Sequence, residues 1–456
     1  MREHHAGKAP AGLRRHYRRC APAAQTSNVA APFILLALCV LYLIFGPTNS
    51  YLDLAALPRI RVEFNQPVRI LASATVPATP TAAAPAPSNA TDDEDGGLPP
   101  PRQLTDPPYS LGRAILDYDA RRSAWLAAHP EFPTRVPPSG RPRVLVVTGS
   151  PPARCPDPDG DHLLLRAFKN KADYCRIHGL EVFYNTAFLD SEMTGFWAKL
   201  PLLRALMLAH PETELFWWVD SDAVFTDMIF ELPWERYERH NLVLHGWPGK
   251  VFEEKSWVGI NTGSFLIRNC QWSLDLLDAL APMGPRGPVR DRYGELFARE
   301  LSGRPPFEAD DQSALIYLLV TQRNRWGDKT FLEGTYELNG FWEGIVDRYE
   351  ELRRKGRPGD GDLGGDGRWP LVTHFVGCKP CRRYADSYPA DRCRRGMERA
   401  FNFADDQILR LYGFQHESLN TTAVQHVGNE TGGPLDADDE ELARLLHPKF
   451  RAVKPT

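Results

Sequence analysis

The sequence predicts an α/β protein with a Rossmann-like sheet, and three observations lead to that prediction. Short apolar runs rich in β-branched and aromatic residues, such as Val144–Val147 and Leu215–Val219, are typical of strands buried on both faces. Segments with a helical period lie between these runs, joined by short links. Two carboxylates, Asp220 and Asp222, follow the second run directly. Because open α/β sheets bind ligands at the carboxyl ends of their parallel strands, we expect the functional site there.

Length and composition set the broad class. The 456 residues allow one large or two ordinary domains with appendages, and 43% apolar with 11% aromatic residues is a globular composition. A net charge of −4 gives no indication of a nucleic-acid partner.

The N-terminus predicts a type II signal anchor. Residues 1–28 form a basic tail, and residues 29–49 form an uncharged apolar stretch. A stretch of that length can cross the ~30 Å hydrocarbon core of a bilayer. A cleaved signal peptide, the alternative, has a shorter apolar region of about 7–15 residues. The positive-inside rule then puts the tail in the cytosol and the remainder of the chain in a lumen.

The lumenal part divides into three regions by composition. Residues 50–140 form a stem, whose Ala-, Pro- and Thr-rich centre cannot bury enough apolar surface to fold and is expected to be disordered. Residues 114–128 have helical spacing and are expected to pack on the following domain. That domain is predicted at 141–425, followed by a polar tail at 426–456. Three sequons predict glycosylation at Asn89, Asn420 and Asn429.

The order of elements predicts a parallel sheet covered on both faces. Strands are expected at 143–150, 180–184, 215–219, 242–245 and 264–268, with helices at 161–179, 196–208, 273–280 and 311–320. Asp161 is expected to cap the first of these helices and Gly179 to end it. Thr148, Gly149 and Ser150 end the first strand, where small residues suit the close approach of backbone to a nucleotide.

The spacing Asp-x-Asp occurs seven times in the chain and means little by itself. Only Asp220 and Asp222 follow a strand too apolar for a surface loop. Two like charges there would be costly without a cation, and hard oxygen ligands suit Mg²⁺ or Mn²⁺. The alternative is a helix cap or a turn.

Six cysteines lie in the lumenal part of the sequence. Cys378 and Cys381 have half the spacing of a zinc site, but no second half is present. A local disulfide to Cys393 is therefore favoured over zinc.

Five strings resemble one family of glycosyltransferases. They are His162–Tyr174, Phe216–Phe225, Leu244–Pro248, Ser256–Ser273 and Thr373–Cys381. Together they are similar to the plant branch of the yeast-type galactosyltransferase family, which contains xyloglucan α-1,6-xylosyltransferases and galactomannan α-1,6-galactosyltransferases. The resemblance covers about residues 143–412 and leaves out the tail, the anchor and the stem.

This resemblance implies a GT-A fold, a UDP-sugar donor, Mn²⁺ and retention of anomeric configuration. It implies metal binding by Asp220, Asp222 and His374, contact of Lys379 with the diphosphate, and a catalytic string formed by Asp310, Asp311 and Gln312. The donor-binding set that we predict comprises Thr148, Gly149, Ser150, Lys171, Asp173, Tyr174, Ser221, Gly377 and Lys379. Without the resemblance, His374 would be read as a core residue, and Asp310 with Asp311 as a helix cap.

The donor sugar is left open between galactose and xylose. Gly259–Phe265 is closer to the galactosyltransferases, and Thr262 or Ser264 could then bond the C6 hydroxyl of galactose. Arg382–Tyr384 and the Gly-rich loop at 355–367 also depart from the xylosyltransferase pattern. Galactose is favoured on these grounds.

The predicted function is transfer of one sugar, α-1,6-linked, to a β-1,4-linked hemicellulose backbone, galactomannan or xyloglucan, in the Golgi membrane. Aromatic platforms for such an acceptor are expected among Trp247, Trp257, Trp272 and Trp342, although part of this set is expected in the core. The alternative is a non-catalytic Golgi partner of active relatives, and homo- or hetero-oligomers with related glycosyltransferases are also expected. The two clustered carboxylates argue for an active enzyme.

Overall fold

A six-stranded mixed sheet forms the centre of the fold. The computed structural model describes residues 100–357, 368–381, 388–427 and 446. The predicted tail at 1–28, the anchor at 29–49, the sequons at Asn89 and Asn429, the string Arg382–Tyr384 and almost all of the C-terminal tail lie outside these ranges. Within them, no helix is long and apolar enough to cross a membrane.

The elements run in the following order. The α-helices are α1 (Tyr118–Ala128), α2 (Pro158–Ile177), α3 (Lys199–Ala209), α4 (Gln271–Leu280), α5 (Pro288–Glu300), α6 (Asp311–Thr321), α7 (Arg323–Trp326), α8 (Tyr349–Lys355) and α9 (Ala390–Leu409). The strands are β1 (Arg135–Val136), β2 (Arg141–Pro142), β3 (Val144–Gly149), β4 (Glu181–Asn185), β5 (Leu215–Val219), β6 (Ala223–Phe225), β7 (Leu242–Gly246), β8 (Ile260–Arg268), β9 (Thr330–Glu333), β10 (Gly340–Phe341), β11 (Val372–His374), β12 (Phe414–His416) and β13 (Val424–His426). A 3₁₀ turn, Gly195–Ala198, leads into α3.

The large sheet has the strand order β4-β3-β5-β8-β7-β9. The α/β class is confirmed, and the first three predicted strands, β3, β4 and β5, are parallel as expected, but the sheet as a whole is mixed because β8 runs antiparallel to both β5 and β7. A strand covered on both faces has the same near-continuous apolar pattern in either direction, so composition could not reveal the reversal.

Helices cover both faces of the large sheet, as predicted. Along β3 the side chains alternate between two cores: Leu145 and Val147 face the core formed with α3, α4 and α6, whereas Val144 and Val146 face the core formed with α2 and α9. Trp217 of β5 is fully buried in the second core. At the central strands β3 and β5, both faces therefore exclude water, and polar groups of these strands can meet solvent only at the strand ends.

The helix α2 begins earlier than predicted. Asp157, not Asp161, is its N-cap: its side chain accepts a hydrogen bond from the Asp159 amide, and Pro158 occupies the first helical position. Asp161 lies in the first turn and accepts the Cys155 amide instead. The predicted end is confirmed, because Gly179 follows with φ of 56°.

A three-stranded sheet lies beside the large one, in the order β10-β11-β6. Its central strand β11 pairs in parallel with β10 and antiparallel with β6. In this register Phe341, His374 and Ala223 are neighbours across the three strands. The small sheet thus brings His374 next to the turn that connects β5 to β6.

The segment before Arg141 packs on the domain, with the helix α1 that the spacing predicted. Tyr118 is 5% exposed, and its hydroxyl donates a 2.8 Å hydrogen bond to Asn269 Oδ1. Earlier in the segment, Tyr109 is 7% exposed and bonds Asp190, and the Arg102 guanidinium bonds both oxygens of Glu192. These residues close over the loop that leads into the 3₁₀ turn before α3.

A protein that starts at residue 141 should therefore be less stable than one that starts at residue 100. The shorter protein loses Tyr109 and Tyr118, and removing even one buried aromatic side chain costs about 3–5 kcal/mol. Denaturant unfolding of the two proteins measures the difference. Equal midpoints would show that the segment 100–140 contributes nothing to the domain.

Candidate active site

Three side chains that could hold a metal ion meet at the carboxyl end of β5. His374 Nε2 lies 3.2 Å from Asp222 Oδ1 and 3.7 Å from Asp220 Oδ2. One ligand atom from each residue lies within 4.8 Å of the other two. Asp220, Asp222 and His374 are called the triad below. Asp220 and His374 are 154 positions apart in the sequence.

The backbone around the triad fixes the direction of each side chain. The Asp220 amide donates to Gly263 O of β8 over 2.7 Å, and the Phe375 amide donates to Asp222 O over 3.0 Å. Trp218 Nε1 donates to Asp220 Oδ1 over 2.6 Å. A side chain at Gly263 would come within 2.1 Å of His374 Cε1, so a glycine is required for the imidazole to fit.

Burial and neighbouring charges shift the pKa values of two residues at this site, His374 and Lys171. Burial lowers the pKa of His374, but the charge and hydrogen bond of Asp222 raise it more, so the pKa lies above its ordinary value of 6.5. A cation and this proton would compete for Nε2. Beneath the turn, fully buried Lys171 donates a 2.7 Å hydrogen bond to Ala223 O, and burial lowers its pKa to about 8. Lys171 therefore supports the turn from inside the protein, and its predicted contact with the donor was wrong.

Lys199 is a residue of the site that sequence reasoning missed. It is 4% exposed, and its ammonium lies 2.9 Å from Asp311 Oδ2, 3.7 Å from Asp220 Oδ1 and 3.1 Å from Thr262 O. Burial lowers the pKa of Lys199, but Asp220 and Asp311 raise it more, so the group is held charged. The signal was available: a lysine opens a helix that is apolar apart from Arg204, at the end where the helix dipole disfavours a positive charge.

The three residues of the predicted catalytic string, Asp310, Asp311 and Gln312, have different contacts. Asp310 is the N-cap of α6, because its carboxylate accepts the Ser313 amide over 2.8 Å and also bonds Arg304. Asp311 faces inward to Lys199. Gln312 donates its side-chain amide to Trp257 O over 2.8 Å. Only Asp311 is thereby linked to the triad, through Lys199.

The end of β3 lies beside the triad, because β3 is the neighbour of β5 in the sheet. Thr148 is fully buried, and its hydroxyl has no hydrogen-bond partner among the described residues. A side chain at Gly149 would come within 2.4 Å of Asn185 O. Ser150 is half-buried after the strand, and Ser221 is half-buried between the two carboxylates. These positions are compatible with the predicted nucleotide contacts.

Besides Lys171, two further members of the predicted donor-binding set do not face the site. Asp173 is 6% exposed and pairs with Lys169 over 2.9 Å on the side of α2 that faces α9. Tyr174 stacks on Phe225 in the core and donates its hydroxyl to Phe230 O. Two residues along a helix turn the side chain through about 200°, so Asp173 lies away from Lys171, whereas Tyr174 is on a similar face but is buried against Phe225. The structure gives both residues structural roles instead.

Two disulfides hold the segment 375–381 that follows His374. Cys378 pairs with Cys393, which confirms the predicted local disulfide, and Cys381 pairs with Cys155 in the loop after β3. Within this segment Gly377 has φ of 86°, and Lys379 Nζ lies 5.1 Å above the Phe196 ring. Lys379 is thereby held on the β3 side of the triad.

The predicted aromatic platforms differ widely in exposure. Trp342 is fully buried, and Trp272 packs edge-on against Trp326. Trp257 is half-buried. Trp247, which follows β7, is 40% exposed. Of the four, Trp247 is the most exposed, although the Lys250 ammonium lies 4.4 Å from the centre of its ring.

The suggested galactose contact from Ser264 was wrong. Ser264 is fully buried in β8, and its hydroxyl accepts a 3.0 Å hydrogen bond from Trp217 Nε1. Thr262 is 6% exposed. Successive residues of a strand alternate between faces, which directs Ser264 into the core.

The donors of the triad fit a divalent cation. Two carboxylates and an imidazole are a ligand set that Mn²⁺ accepts, and Nε2 is the ring nitrogen that faces the carboxylates. A second group of similar composition, Cys155, Asp161 and Cys381, is not a metal site because its cysteines form a disulfide.

Comparison with known proteins identifies the family. The sequence model of the galactosyl transferase GMA12/MNN10 family matches residues 140–385. The chain belongs to this family. Every residue assigned above to the triad, to the Lys199–Asp311 pair and to the end of β3 lies within the matched range.

Relatives of this family member are named as sugar transferases. A protein of Oryza sativa subsp. indica named probable glycosyltransferase 5 is 75% identical over the full length of both chains. Xyloglucan 6-xylosyltransferase 1 of Arabidopsis thaliana is 60% identical over 77% of this chain and 75% of that protein. The protein is therefore a glycosyltransferase, an enzyme that transfers sugar.

Among solved structures, a glycosyltransferase involved in the glycosylation of the major capsid of PBCV-1 has a TM-score of 0.35 and 14% identity, over 56% of this chain and 99% of that one. That likeness is too weak to carry a conclusion about the fold.

Proposed function

We propose that this glycosyltransferase has a GT-A fold and transfers xylose from UDP-xylose, with retention of configuration, in α-1,6 linkage to the β-1,4-linked backbone of xyloglucan. The observation that carries the proposal is the triad, joined through Lys199 to Asp311 at the ligand-binding edge of the sheet. The names of the 60% identical relatives support xylose and xyloglucan. Burial of Ser264 and Thr262 weighs against the two side-chain contacts suggested for the C6 hydroxyl of galactose.

The triad is proposed to hold Mn²⁺, which would neutralise the diphosphate of the donor when bound. Lys379 is placed on the same side as the end of β3, where its ammonium could meet the phosphates as negative charge builds on the leaving UDP. Lys199 holds Asp311 and Asp220 in one fixed arrangement, because it contacts both carboxylates from a buried position. A rigid arrangement of charges costs no reorganisation during the reaction.

A transfer panel tests the proposal. The protein is incubated with UDP-xylose or UDP-galactose, with cellohexaose or mannohexaose, with and without Mn²⁺. We expect xylosylated cellohexaose in the presence of Mn²⁺, and proton NMR of the product should show the α configuration. Galactosylated mannohexaose would instead support a galactomannan galactosyltransferase. Absence of all transfer, together with absence of UDP binding, would favour a non-catalytic partner of related enzymes.

We also propose that the protein is a Golgi type II membrane protein with a lumenal catalytic domain, on the basis of the basic tail and the apolar stretch that follows it. Asn420 is exposed on the domain, so its side chain is accessible to glycosylation. Its side-chain oxygen accepts a hydrogen bond from Arg399. Assembly with related glycosyltransferases remains a prediction.

Glycosidase treatment of the membrane-derived protein should lower its mass, and Asn420→Gln should remove part of that shift. The lumenal orientation also predicts that proteases added to sealed vesicles cleave the N-terminal tail alone. Digestion of the catalytic domain in intact vesicles would show the opposite orientation.

A further inference from the structure

The two faces of the small sheet have different surroundings. On one face, Val224 of β6 lies in a core with Trp342 and Tyr349, and Thr373 of β11 bonds the Tyr349 hydroxyl over 2.7 Å. On the other face, Ala223 belongs to the core that lies against the large sheet. His374 shares the face of Ala223, because the two residues are paired across the strands.

Phe341 lies on this same face, directly beside His374. The two residues are paired in the parallel register of β10 and β11, where adjacent strands are about 4.8 Å apart. Unlike Ala223, Phe341 is 48% exposed. An apolar ring next to a cluster of ionisable side chains, with half of its surface open, has space for a ligand above it.

The position of Phe341 separates it from the nucleotide side of the site. The strand β6 packs on α2, with Asn170 bonded to both polar backbone atoms of Phe225, and α2 follows β3. The strand β10 is at the opposite edge of the small sheet and is joined to β9 by residues 334–339. The Cys155–Cys381 disulfide holds Lys379 near β3, whereas Phe341 lies on the side of β7 and β9.

A second exposed aromatic residue lies on that side. Trp247 follows β7, and a side chain at Gly334, just after β9, would approach its ring to 3.3 Å. Trp247 is 40% exposed. The triad is therefore flanked by small polar residues and a lysine on one side and by two partly exposed aromatic residues on the other, of which Trp247 carries the Lys250 ammonium over its ring and Phe341 does not.

We propose that Phe341 binds the acceptor by stacking on a sugar ring of the β-1,4-linked chain. This inference rests on the proposed function. In a β-1,4-linked glucan the ring substituents are equatorial, so each ring presents a face of C–H groups that can pack on a phenyl ring. A phenyl ring binds a diphosphate weakly, because a diphosphate is bound by cations and N–H donors. The occupant of this surface is accordingly the uncharged acceptor.

The variant Phe341→Ala tests the assignment, with Phe341→Tyr as the conservative variant. We expect Phe341→Ala to raise the KM for cellohexaose about tenfold, the effect of 1.4 kcal/mol of lost binding. The kcat and donor KM for hydrolysis of UDP-xylose in the absence of acceptor should stay unchanged. Phe341→Tyr, which keeps an aromatic face, should restore the acceptor KM. Phe414→Ala is the matched control, since Phe414 is 40% exposed on β12 and belongs to a separate two-stranded sheet.

The possible outcomes separate a failure of the role assigned to Phe341 from a failure of the proposed function. An acceptor KM that is the same in the parent and in Phe341→Ala overturns the role of Phe341 and leaves the proposed function intact. A parallel loss of donor hydrolysis also overturns it, because the substitution would then act through His374. If the parent protein transfers no xylose to cellohexaose, the proposed function fails and the inference fails with it.

Discussion

Replacing Asp222 with asparagine should abolish sugar transfer while changing the unfolding temperature of the metal-free protein very little. The substitution removes one of two carboxylates that face His374 Nε2, and it keeps the size of the side chain. The backbone carbonyl of residue 222 can still accept the Phe375 amide, so the turn should persist. Loss of a charged group that acts on a developing charge lowers kcat by at least about 100-fold.

Three measurements are needed: transfer with Mn²⁺, Mn²⁺ affinity by calorimetry, and thermal unfolding without metal. Asp159→Asn is the matched control, because Asp159 belongs to another Asp-x-Asp pair but is 63% exposed at the start of α2. The control should keep its activity. Normal turnover of Asp222→Asn, or normal turnover of the parent protein with EDTA present, would exclude a metal role for the triad.

The variant Lys199→Met should lose both activity and stability. It removes the positive charge between Asp220 and Asp311 and leaves two carboxylates next to each other in a site from which the lysine excluded water. Removing one partner of a buried ion pair typically costs about 3–5 kcal/mol. We expect the free energy of unfolding to fall by that amount at neutral pH and transfer to fall by at least about 100-fold.

Denaturant unfolding and kcat/KM measure the two effects. Lys169→Met is the control: Lys169 also pairs with two carboxylates, Asp173 and Asp405, but its side chain is 51% exposed. An exposed pair contributes about 0–1 kcal/mol, so this variant should keep its fold and its turnover. If Lys199→Met were as stable and active as the parent, Lys199 would be a dispensable core residue.

Sequence reasoning found the Asp220 and Asp222 end of the site because a buried strand and its acidic end are local features. The third member of the triad, His374 on β11, has no such local signal. A histidine in an apolar strand is usually a core residue, and His374 was assigned to the site only through the resemblance of its string to a family. Its position depends on the pairing of β11 with β6, which joins residues about 150 positions apart and leaves no local pattern.

The errors have a common physical origin. The direction of β8, the burial of Ser264 and the role of Lys199 are all set by contacts between elements that are distant in sequence. Asp173 and Tyr174 were predicted from their place in a conspicuous string, but Asp173 pairs with Lys169 and Tyr174 packs in the core. The disulfide partner of Cys381 could not be deduced either, since Cys155 is 226 positions away.

The Cys155–Cys381 disulfide also makes a closed covalent ring of the chain between those residues. The ring contains all three members of the triad together with Lys199, Asp311, Phe341 and Lys379. One peptide bond could be cut anywhere within the ring, and the two pieces would still travel as a single molecule until a reductant separated them. For this enzyme, an intact band on a non-reducing gel is therefore no proof of an uncut backbone, and only the reduced sample reports a nick.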